Sequence, residues 1–374
     1  MNNEFDTRMM ARALQLARRA QYSAMPNPHV GCVLVRDAEI IGEGFTQPAG
    51  GDHAEVQALR AAGDARGATA YVTLEPCSHH GKTGPCADAL VQAGVTRVVA
   101  AMQDPNPQVA GAGLHSMRSA GIEVECGLLG DQAERTIPGF AARMRRGRGR
   151  VRVKLAMSLD GRTAMADGDS QWITGPAARQ DVQRLRAMSC AVVTGIGTVL
   201  DDDCALTVRS AELGLPEDEA QRASARQPLR VVLDSQLRTP PAARVVDGQA
   251  PTLLCHDRDA TMPEGLSSGS VDFVALERGG NGLSLDGLFA ELQRRQCNEI
   301  LVESGPRLAG AMLQAGLVDE LIVYMAPCLL GNLARPLLEL PLHAMSEKVQ
   351  LQFQDVRKVG DDWRFSAIPA QRRN

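Results

Sequence analysis

The sequence predicts an α/β protein in two domains, and three observations carry that expectation. Short apolar runs alternate with helix-period patterns along most of the chain, the order that builds layered sheets. An arginine- and glycine-rich stretch from Arg143 to Arg152 interrupts that order. At 374 residues the chain exceeds one usual hydrophobic core, and length alone suggests two to three domains.

Before the interruption the pattern predicts a helix over 6–22, strands near 30–35 and 40–42, and a helix opening at His53. A strand over 69–74, a helix over 87–93, a strand over 97–101, a helix over 114–120 and a strand over 123–128 follow. Residues 131–146 read as a last helix leading out. This order predicts a mostly parallel sheet between helices, with the helices near His53 and Cys86 at one sheet edge. After it come a strand over 151–157, a helix over 177–188, a strand over 190–194, and strands at 229–234, 252–255 and 273–275. A helix over 285–296, a strand over 299–303 and a helix beyond Gly305 complete the repeat. The tail, at 321–325, 349–356 and 363–368, reads as antiparallel, so the second sheet is mixed. The boundaries that follow are 1–146 and 147–374.

Composition narrows the functional classes. An apolar fraction of 44% and a charged fraction of 22% are those of a globular protein. No apolar run reaches the length of a bilayer span, and Glu4, Asp6, Arg8 and Arg12 leave no room for the apolar core of a signal peptide. Nine cysteines, odd in number and unevenly spaced, point to a reducing cytoplasm. Cys32, Cys126, Cys190, Cys255, Cys297 and Cys328 read mostly as core filler. A net charge of −4 and 3% aromatic residues argue against a nucleic-acid substrate. The run Arg143–Arg152 is the exception, readable as an RNA-contacting arm or as a solvated linker.

Chemistry concentrates at His53-Ala54-Glu55, Pro76-Cys77 and Cys86. One imidazole and two thiols are the donor set of a zinc site that keeps a position open. Glu55, two residues from the histidine and near a helix start, stands beside the metal as a proton carrier. An H-x-E segment followed by P-C and a second cysteine marks the zinc-dependent nucleobase deaminases. Taken alone, Asp52-x-x-Glu55 is also an acceptable capping box. Eight residues separate the two cysteines, and they include His79, His80 and Lys82. Either histidine could replace a cysteine as ligand, or the loop could meet an anionic substrate.

In the second half, Gly195-Ile196-Gly197 and Gly305-Pro306 follow apolar strands and precede helix starts, where N–H groups favour anions. Neither forms a dinucleotide fingerprint, and each is an ordinary tight turn on its own.

Several segments together resemble one family, the bifunctional deaminase/reductases of bacterial riboflavin biosynthesis. They are Asn27-Pro28-His29-Val30-Gly31-Cys32-Val33, His53-Ala54-Glu55-Val56, Thr73-Leu74-Glu75-Pro76-Cys77-Ser78-His79-His80-Gly81 and Gln103-Asp104-Pro105-Asn106-Pro107. The second half adds Val153 through Gly161, Gln171-Trp172-Ile173-Thr174, Thr198 through Arg209, and Val302-Glu303-Ser304-Gly305-Pro306. The long inter-cysteine loop belongs to the family pattern. One departure is Asp203-Cys204, where the family usually reads aspartate-proline; losing the proline loosens that loop.

The resemblance implies a cytidine-deaminase-like three-layer sandwich followed by a dihydrofolate-reductase-like mixed-sheet domain. It implies Zn2+ held by His53, Cys77 and Cys86, with Glu55 moving the proton in hydrolytic removal of the 2-amino group of a phosphoribosylamino-diaminopyrimidinone. Asn27, Lys82 and Asn106 would frame that substrate. It further implies NADPH reduction of the ribosyl arm to ribityl. Ala156, Trp172, Thr198, Asp202, Ser235 and Gly305, Pro306, Arg307, Leu308, Ala309, Gly310 and Ala311 would line NADPH, while Ser170, Arg186, Leu206, Arg209 and Glu303 would face substrate. Glu303 and Lys154 are the candidate acid/base groups. Bland readings stand beside them: a core Trp172, a solvated helix face for Arg186, an outward-facing Lys154. The expected partners are a small phosphorylated pyrimidine and further copies of the chain, with no nucleic acid and no membrane. A structural zinc module fused to an oxidoreductase, and a tRNA or free-nucleobase deaminase fused to one, are the rivals.

Overall fold

The structure, a computed structural model, describes residues 3–78, 84–107, 109–263, 265–266, 269, 271–280 and 282–370. The chain divides into two compact units, Met1–Arg148 and Gly149–Asn374.

Unit 1 contains α1 (Asn3–Arg18), β1 (Gly31–Arg36), β2 (Glu39–Phe45), α2 (Ala54–Ala62), β3 (Thr69–Val72) and α3 (Cys86–Gln92). β4 (Arg97–Ala100), α4 (Ala112–Ser119), β5 (Glu123–Cys126), α5 (Gly130–Glu134) and α6 (Pro138–Arg146) follow. The sheet order is β2-β1-β3-β4-β5. The expectation of a mostly parallel sheet is corrected: β1 runs antiparallel to both β2 and β3, and only β3–β4 and β4–β5 are parallel. The predicted last helix is two helices, because Pro138 has no N–H to continue the first and instead opens the second. Alternating strand residues feed two cores. Cys32, Leu34, Ala70, Val72 and Val98 pack with α2, α3 and α4, while Val33, Val35, Tyr71 and Val99 pack with α1. The result is three layers, helices on both faces of one sheet, as a period-two alternation of apolar side chains requires. α2 lies across β1 and β2. The α1 layer is tied by Asp6, which accepts from Tyr71 Oη and from the Arg97 guanidinium.

Unit 2 opens with β6 (Arg150–Ser158), β7 (Arg162–Ala164), α7 (Pro176–Ala187), β8 (Ala191–Gly195), α8 (Ile196–Asp202), α9 (Glu217–Ala225), β9 (Leu229–Leu233), β10 (Thr252–Asp257) and β11 (Val271–Leu276). β12 (Arg278–Gly279), β13 (Gly282–Leu283), α10 (Leu285–Arg294), β14 (Glu299–Glu303), α11 (Pro306–Gln314), β15 (Glu320–Ala326), β16 (Arg335–Pro336), β17 (Leu351–Val359) and β18 (Asp362–Pro369) complete it. The main sheet runs β11-β10-β9-β8-β14-β6-β15-β18-β17. It is mixed, as expected, but β15 is corrected from an antiparallel to a bridging strand. It runs parallel to β6 on one side and antiparallel to β18 on the other. One face packs on α10 and α11 through Leu288, Phe289, Leu292 and Met312, and the other on α7 and α8 through Val182, Leu185 and Val199.

The arginine run is partly engaged by the fold, from exposed Arg145 and Arg146 to buried Arg152. Arg145 pairs with Glu134, Arg150 with Glu320, and buried Arg152 donates to Ser189 Oγ. Gly147 caps α6 in the left-handed region at φ 72°, a conformation open to glycine at no steric cost. Gly149 already belongs to unit 2, where a Cβ would stand 2.2 Å from the Cys297 carbonyl oxygen. Among the described residues no helix is long and apolar enough to cross a membrane. Of the cysteines expected in the core, Cys126 is exposed, and Cys190 and Cys328 are half-buried.

Candidate active sites

In unit 1, α2 sits directly on β2 because Gly42 and Gly44, two apart on one strand face, have no side chain. A Cβ on either would stand 2.3 or 2.2 Å from the carbonyl oxygens of Ala58 and Ala54. That close approach fixes the start of α2, with His53 as its N-cap and Glu55 in its first turn. Cys77 leaves the end of β3, and Cys86 is the first residue of α3, whose N–H donates to Cys77 Sγ at 3.4 Å.

His53, Cys77 and Cys86 converge, their ligand atoms all within 4.8 Å of one another. His53 Nδ1 lies 3.6 Å from Cys77 Sγ and 3.3 Å from Cys86 Sγ. A tetrahedron with Zn–N bonds of about 2.05 Å and Zn–S bonds of about 2.3 Å has an N···S edge of roughly 3.6 Å. The donor set and its spacing therefore fit zinc. Hydrogen bonds from Cys86 and His53 hold Cys77 toward thiolate, while that thiolate and burial push Cys86 up. His53 is raised, chiefly by its bond to Cys77. Burial pushes the Glu55 carboxyl up to about 7, with the Cys77 charge adding to the shift. A carboxyl poised near neutrality can both accept and return a proton. The capping-box alternative is set aside, since the N-cap of α2 is His53 and not Asp52, and Glu55 is buried.

Glu75 carries a role the motif alone does not reveal. Its buried carboxylate accepts four backbone N–H groups: Oε2 from Asp104 and Gly111 at 3.0 and 2.9 Å, Oε1 from Gly113 and Leu114 at 2.9 and 3.3 Å. Asn106 lies in that turn, with its N–H on Asp104 Oδ1. Asn27 is half-buried in the turn leading to β1, its N–H on the Ala24 carbonyl. Lys82, His79 and His80 fall outside the described residues.

In unit 2 a cavity of about 890 Å³ opens at the carboxyl ends of β6, β8 and β14, the usual ligand position of an open α/β sheet. Lys154, Ala156, Ser170, Trp172, Arg186, Thr198, Asp202, Leu206, Arg209, Glu303, Gly305 and Pro306 all line it. Lys154 and Glu303 are register partners on adjacent parallel strands. Arg186 grips Glu303 with two of its three nitrogens, Nε to Oε1 at 2.6 Å and Nη2 to Oε2 at 3.0 Å. Burial pushes Glu303 up, but Arg186 outweighs it and holds the carboxyl below its ordinary value. Burial lowers Lys154, with Glu303 opposing, so the amine moves toward the range where it exchanges protons. The solvated-face reading of Arg186 and the outward-facing reading of Lys154 are thereby corrected. Trp172 is 71% exposed, not core, and stacks 4.6 Å from the Arg179 guanidinium.

The remaining expected cofactor residues lie elsewhere. Ala309 is buried in the core, and Gly310 is small because the Glu339 carbonyl oxygen would be 2.1 Å from its Cβ. Arg307 faces Glu339, Leu308 packs against the core, and neither these nor Ala311 line the cavity. Ser235 is absent from the lining too; its carbonyl accepts the Asp257 N–H. Asp201 and Arg335, paired at 2.9 Å, line the cavity without having been singled out. The acidic run Asp201–Asp203 was a visible signal for the first; Arg335 has none, since β7–β16 pairing brings it there. The size of the cavity, the exposed ring of Trp172 and the N–H end of α11 at Gly305–Pro306 suit a dinucleotide.

Comparison with known proteins gives a match for each unit. Residues 3–102 match the cytidine and deoxycytidylate deaminase zinc-binding region, and residues 150–365 match the RibD C-terminal domain. The riboflavin biosynthesis protein RibD of Escherichia coli is 53% identical over 366 residues, covering 96% of this chain and 97% of the relative. That of Haemophilus influenzae is 49% identical over 371 residues, covering 97% of each. Among solved structures, Acinetobacter baumannii RibD superposes with a TM-score of 0.91 at 45% identity, covering 99% and 100% of the two chains. A Thermotoga maritima diaminohydroxyphosphoribosylaminopyrimidine deaminase/5-amino-6-(5-phosphoribosylamino)uracil reductase gives 0.85 at 31% identity, covering 98% and 99%.

Proposed function

The chain belongs to the RibD family, the bifunctional deaminase/reductases of riboflavin biosynthesis, and from that premise we propose how its residues divide the two reactions. Deamination falls to unit 1 and reduction to unit 2, with the boundary at 146–149. The observation that carries the first assignment is the convergence of His53, Cys77 and Cys86 beside a buried Glu55. When bound, zinc lowers the pKa of water to about 7 and so supplies a nucleophile at neutral pH, and NADPH supplies hydride. Glu55 takes the proton of the attacking water and delivers it to the departing ammonia. Asn27, Asn106 and Lys82 are the residues assigned to the pyrimidine and its phosphate arm.

In unit 2 the cavity takes NADPH along Ala156, Trp172, Thr198, Asp202 and the Gly305–Pro306 turn. Ser170, Leu206, Arg209 and the Arg186–Glu303 pair face the phosphorylated sugar. Lys154 Nζ gives a proton to the nitrogen on C1′ of the open-chain sugar as C1′ accepts hydride, while Glu303 and Arg186 set its position. The same reading makes the protein a cytoplasmic homo-oligomer. Supporting self-association, Phe353, Val356 and Trp363 share one face of the outermost hairpin and remain exposed; an apolar sheet edge left open favours pairing with another copy.

The test is incubation of purified protein with the phosphoribosylamino-diaminopyrimidinone. Ammonia is released without NADPH, and NADPH is consumed only once the deaminated product exists. Glu55→Gln retains zinc yet slows ammonia release by about 10²–10⁴-fold. Ammonia release at the wild-type rate by this variant would overturn the role assigned to Glu55.

A further inference from the structure

We propose that Glu75 is a positioning residue of the deaminase site, holding the 104–114 segment in register with the strand exit that carries Cys77. The inference rests on the reading of unit 1 as a deaminase. Glu75 and Cys77 are two residues apart, so whatever Glu75 grips moves with a zinc ligand.

The grip is unusually complete. One carboxylate with 3% exposure takes four backbone N–H groups from a single segment, and two of its four donors, Gly113 and Leu114, are first-turn amides of α4. The cap residue of α4 is Gly111, which has no side chain to satisfy those amides. An anion supplied from a distant strand therefore replaces the missing cap and also gathers the turn in front of it. Packing reinforces the junction: Gly113 is pressed on the Pro76 carbonyl oxygen, which would lie 2.0 Å from a Cβ. Two consecutive residues of the Glu75-Pro76-Cys77 segment thus dock on one helix start. Asn106, on the gripped turn, is thereby held at a fixed distance from the ligand that follows. A carboxylate is needed for this because both oxygens must accept; an amide would turn its NH2 toward two N–H donors.

A residue serving stability alone would change the yield or the fraction of active enzyme and leave KM where it is. A positioning residue moves KM. Glu75→Gln is therefore measured in the full-length protein for zinc content, deaminase kcat and KM, and reductase activity on the deaminated intermediate. The expected result is wild-type zinc, wild-type reductase activity, kcat within about threefold, and a deaminase KM raised about tenfold or more, since a charge-assisted bond is lost. Hydrogen exchange of the 104–114 segment rises in parallel. Gly113→Ala, which separates the same junction without touching the carboxylate, raises KM in the same direction.

Three outcomes overturn the proposal. Unchanged KM in both variants would mean that the segment does not touch substrate. A lowered kcat at unchanged KM would mark a role in stability alone. Zinc loss with reductase activity intact would place Glu75 in support of the ligand segment itself. Failure of the underlying reading looks different, because wild-type protein would then release no ammonia at all.

Discussion

In unit 1 the carboxylate of Glu75 collects four N–H groups of the 104–114 segment. In unit 2 the fully buried guanidinium of Arg230 does the converse. It donates to the carbonyls of Ala205, Arg244 and Ala250, as well as to Thr252 Oγ1 and Asp247. The signs follow from which backbone groups each loop leaves without partners. A segment ending in a helix start presents N–H groups, whereas the loop at 203–206 turns the Ala205 carbonyl inward between two left-handed residues, Asp203 at φ 42° and Leu206 at φ 52°, and residues 244 and 250 add two more carbonyls. The sites themselves differ in the same spirit. The three ligands of unit 1 are already assembled for a single small ion. In unit 2, Arg186 with Glu303, Arg209 with Glu212 and Arg335 with Asp201 are paired across a wide cavity, so arriving ligands must compete with charges that already satisfy one another.

The largest effect that can break this comparison comes from removing a ligand. Cys86→Ser, or exhaustive chelation of the wild type, abolishes ammonia release, a loss of at least about 10³-fold, because metal chemistry at neutral pH needs the full donor set. Reduction of supplied intermediate continues at the wild-type rate. A parallel loss of both activities would show that the units do not act independently.

How much of this was legible depended on the range of the interaction. The zinc triad could be read because few residue types bind the metal and short motifs carry them. The edges of β14 and β8 could be read from runs of Val, Ile and Leu. Helix α9 was missed because its buried positions are only Ala220 and Ala223, too small to mark a face. The Arg186–Glu303 pair spans 117 residues, so nothing local announced it, and Arg186 looked like one of several helix arginines. Arg230 was not singled out, because its partners Ala205, Arg244, Asp247, Ala250 and Thr252 are brought to it only by the fold. Gly310, assigned to the cofactor by the resemblance alone, lies within α11 and accommodates the Glu339 backbone.

Within unit 2, Arg186→Ala and Arg209→Ala sharpen the contrast between buried and exposed pairs. Arg209 pairs with half-exposed Glu212, and its loss raises KM for phosphorylated intermediate by about tenfold, one charge-assisted contact. Arg186 is paired with largely buried Glu303, whose side chain is 11% exposed, and its loss also strands that carboxylate, so the effect reaches about 100-fold or more. The pH profile separates the two. In the wild type the depressed Glu303 carboxyl gives its stabilisation above the unfolded value, near 4.3, and loses it as pH falls through the lower folded value. Without Arg186, burial is opposed only by the Lys154 and Arg209 charges and the carboxyl rises, so reductase activity of Arg186→Ala falls at a higher pH than that of Arg209→Ala. Superimposable profiles would mean that Arg186 does not govern Glu303.

Arg230→Lys gives the smallest change and tests whether the loop of unit 2 is held as that of unit 1 is. Lysine keeps the positive charge but offers one nitrogen in place of a fork, and Arg230 spreads its contacts over Nε, Nη1 and Nη2. At least one buried carbonyl is then left without a donor, at a cost on the order of 2 kcal/mol. For a unit of this size that corresponds to a fall in melting temperature of about 4–8 °C, confined to the unit 2 transition. Leu206 and Asp202 flank the Ala205 carbonyl, so loosening it raises KM for the sugar substrate by about threefold to fivefold while deamination is unchanged. A lowered melting temperature with wild-type KM would assign Arg230 to stability alone. The likeness to Glu75 would then stop at geometry, since one unit would use its buried charge to place substrate and the other only to fill a polar core.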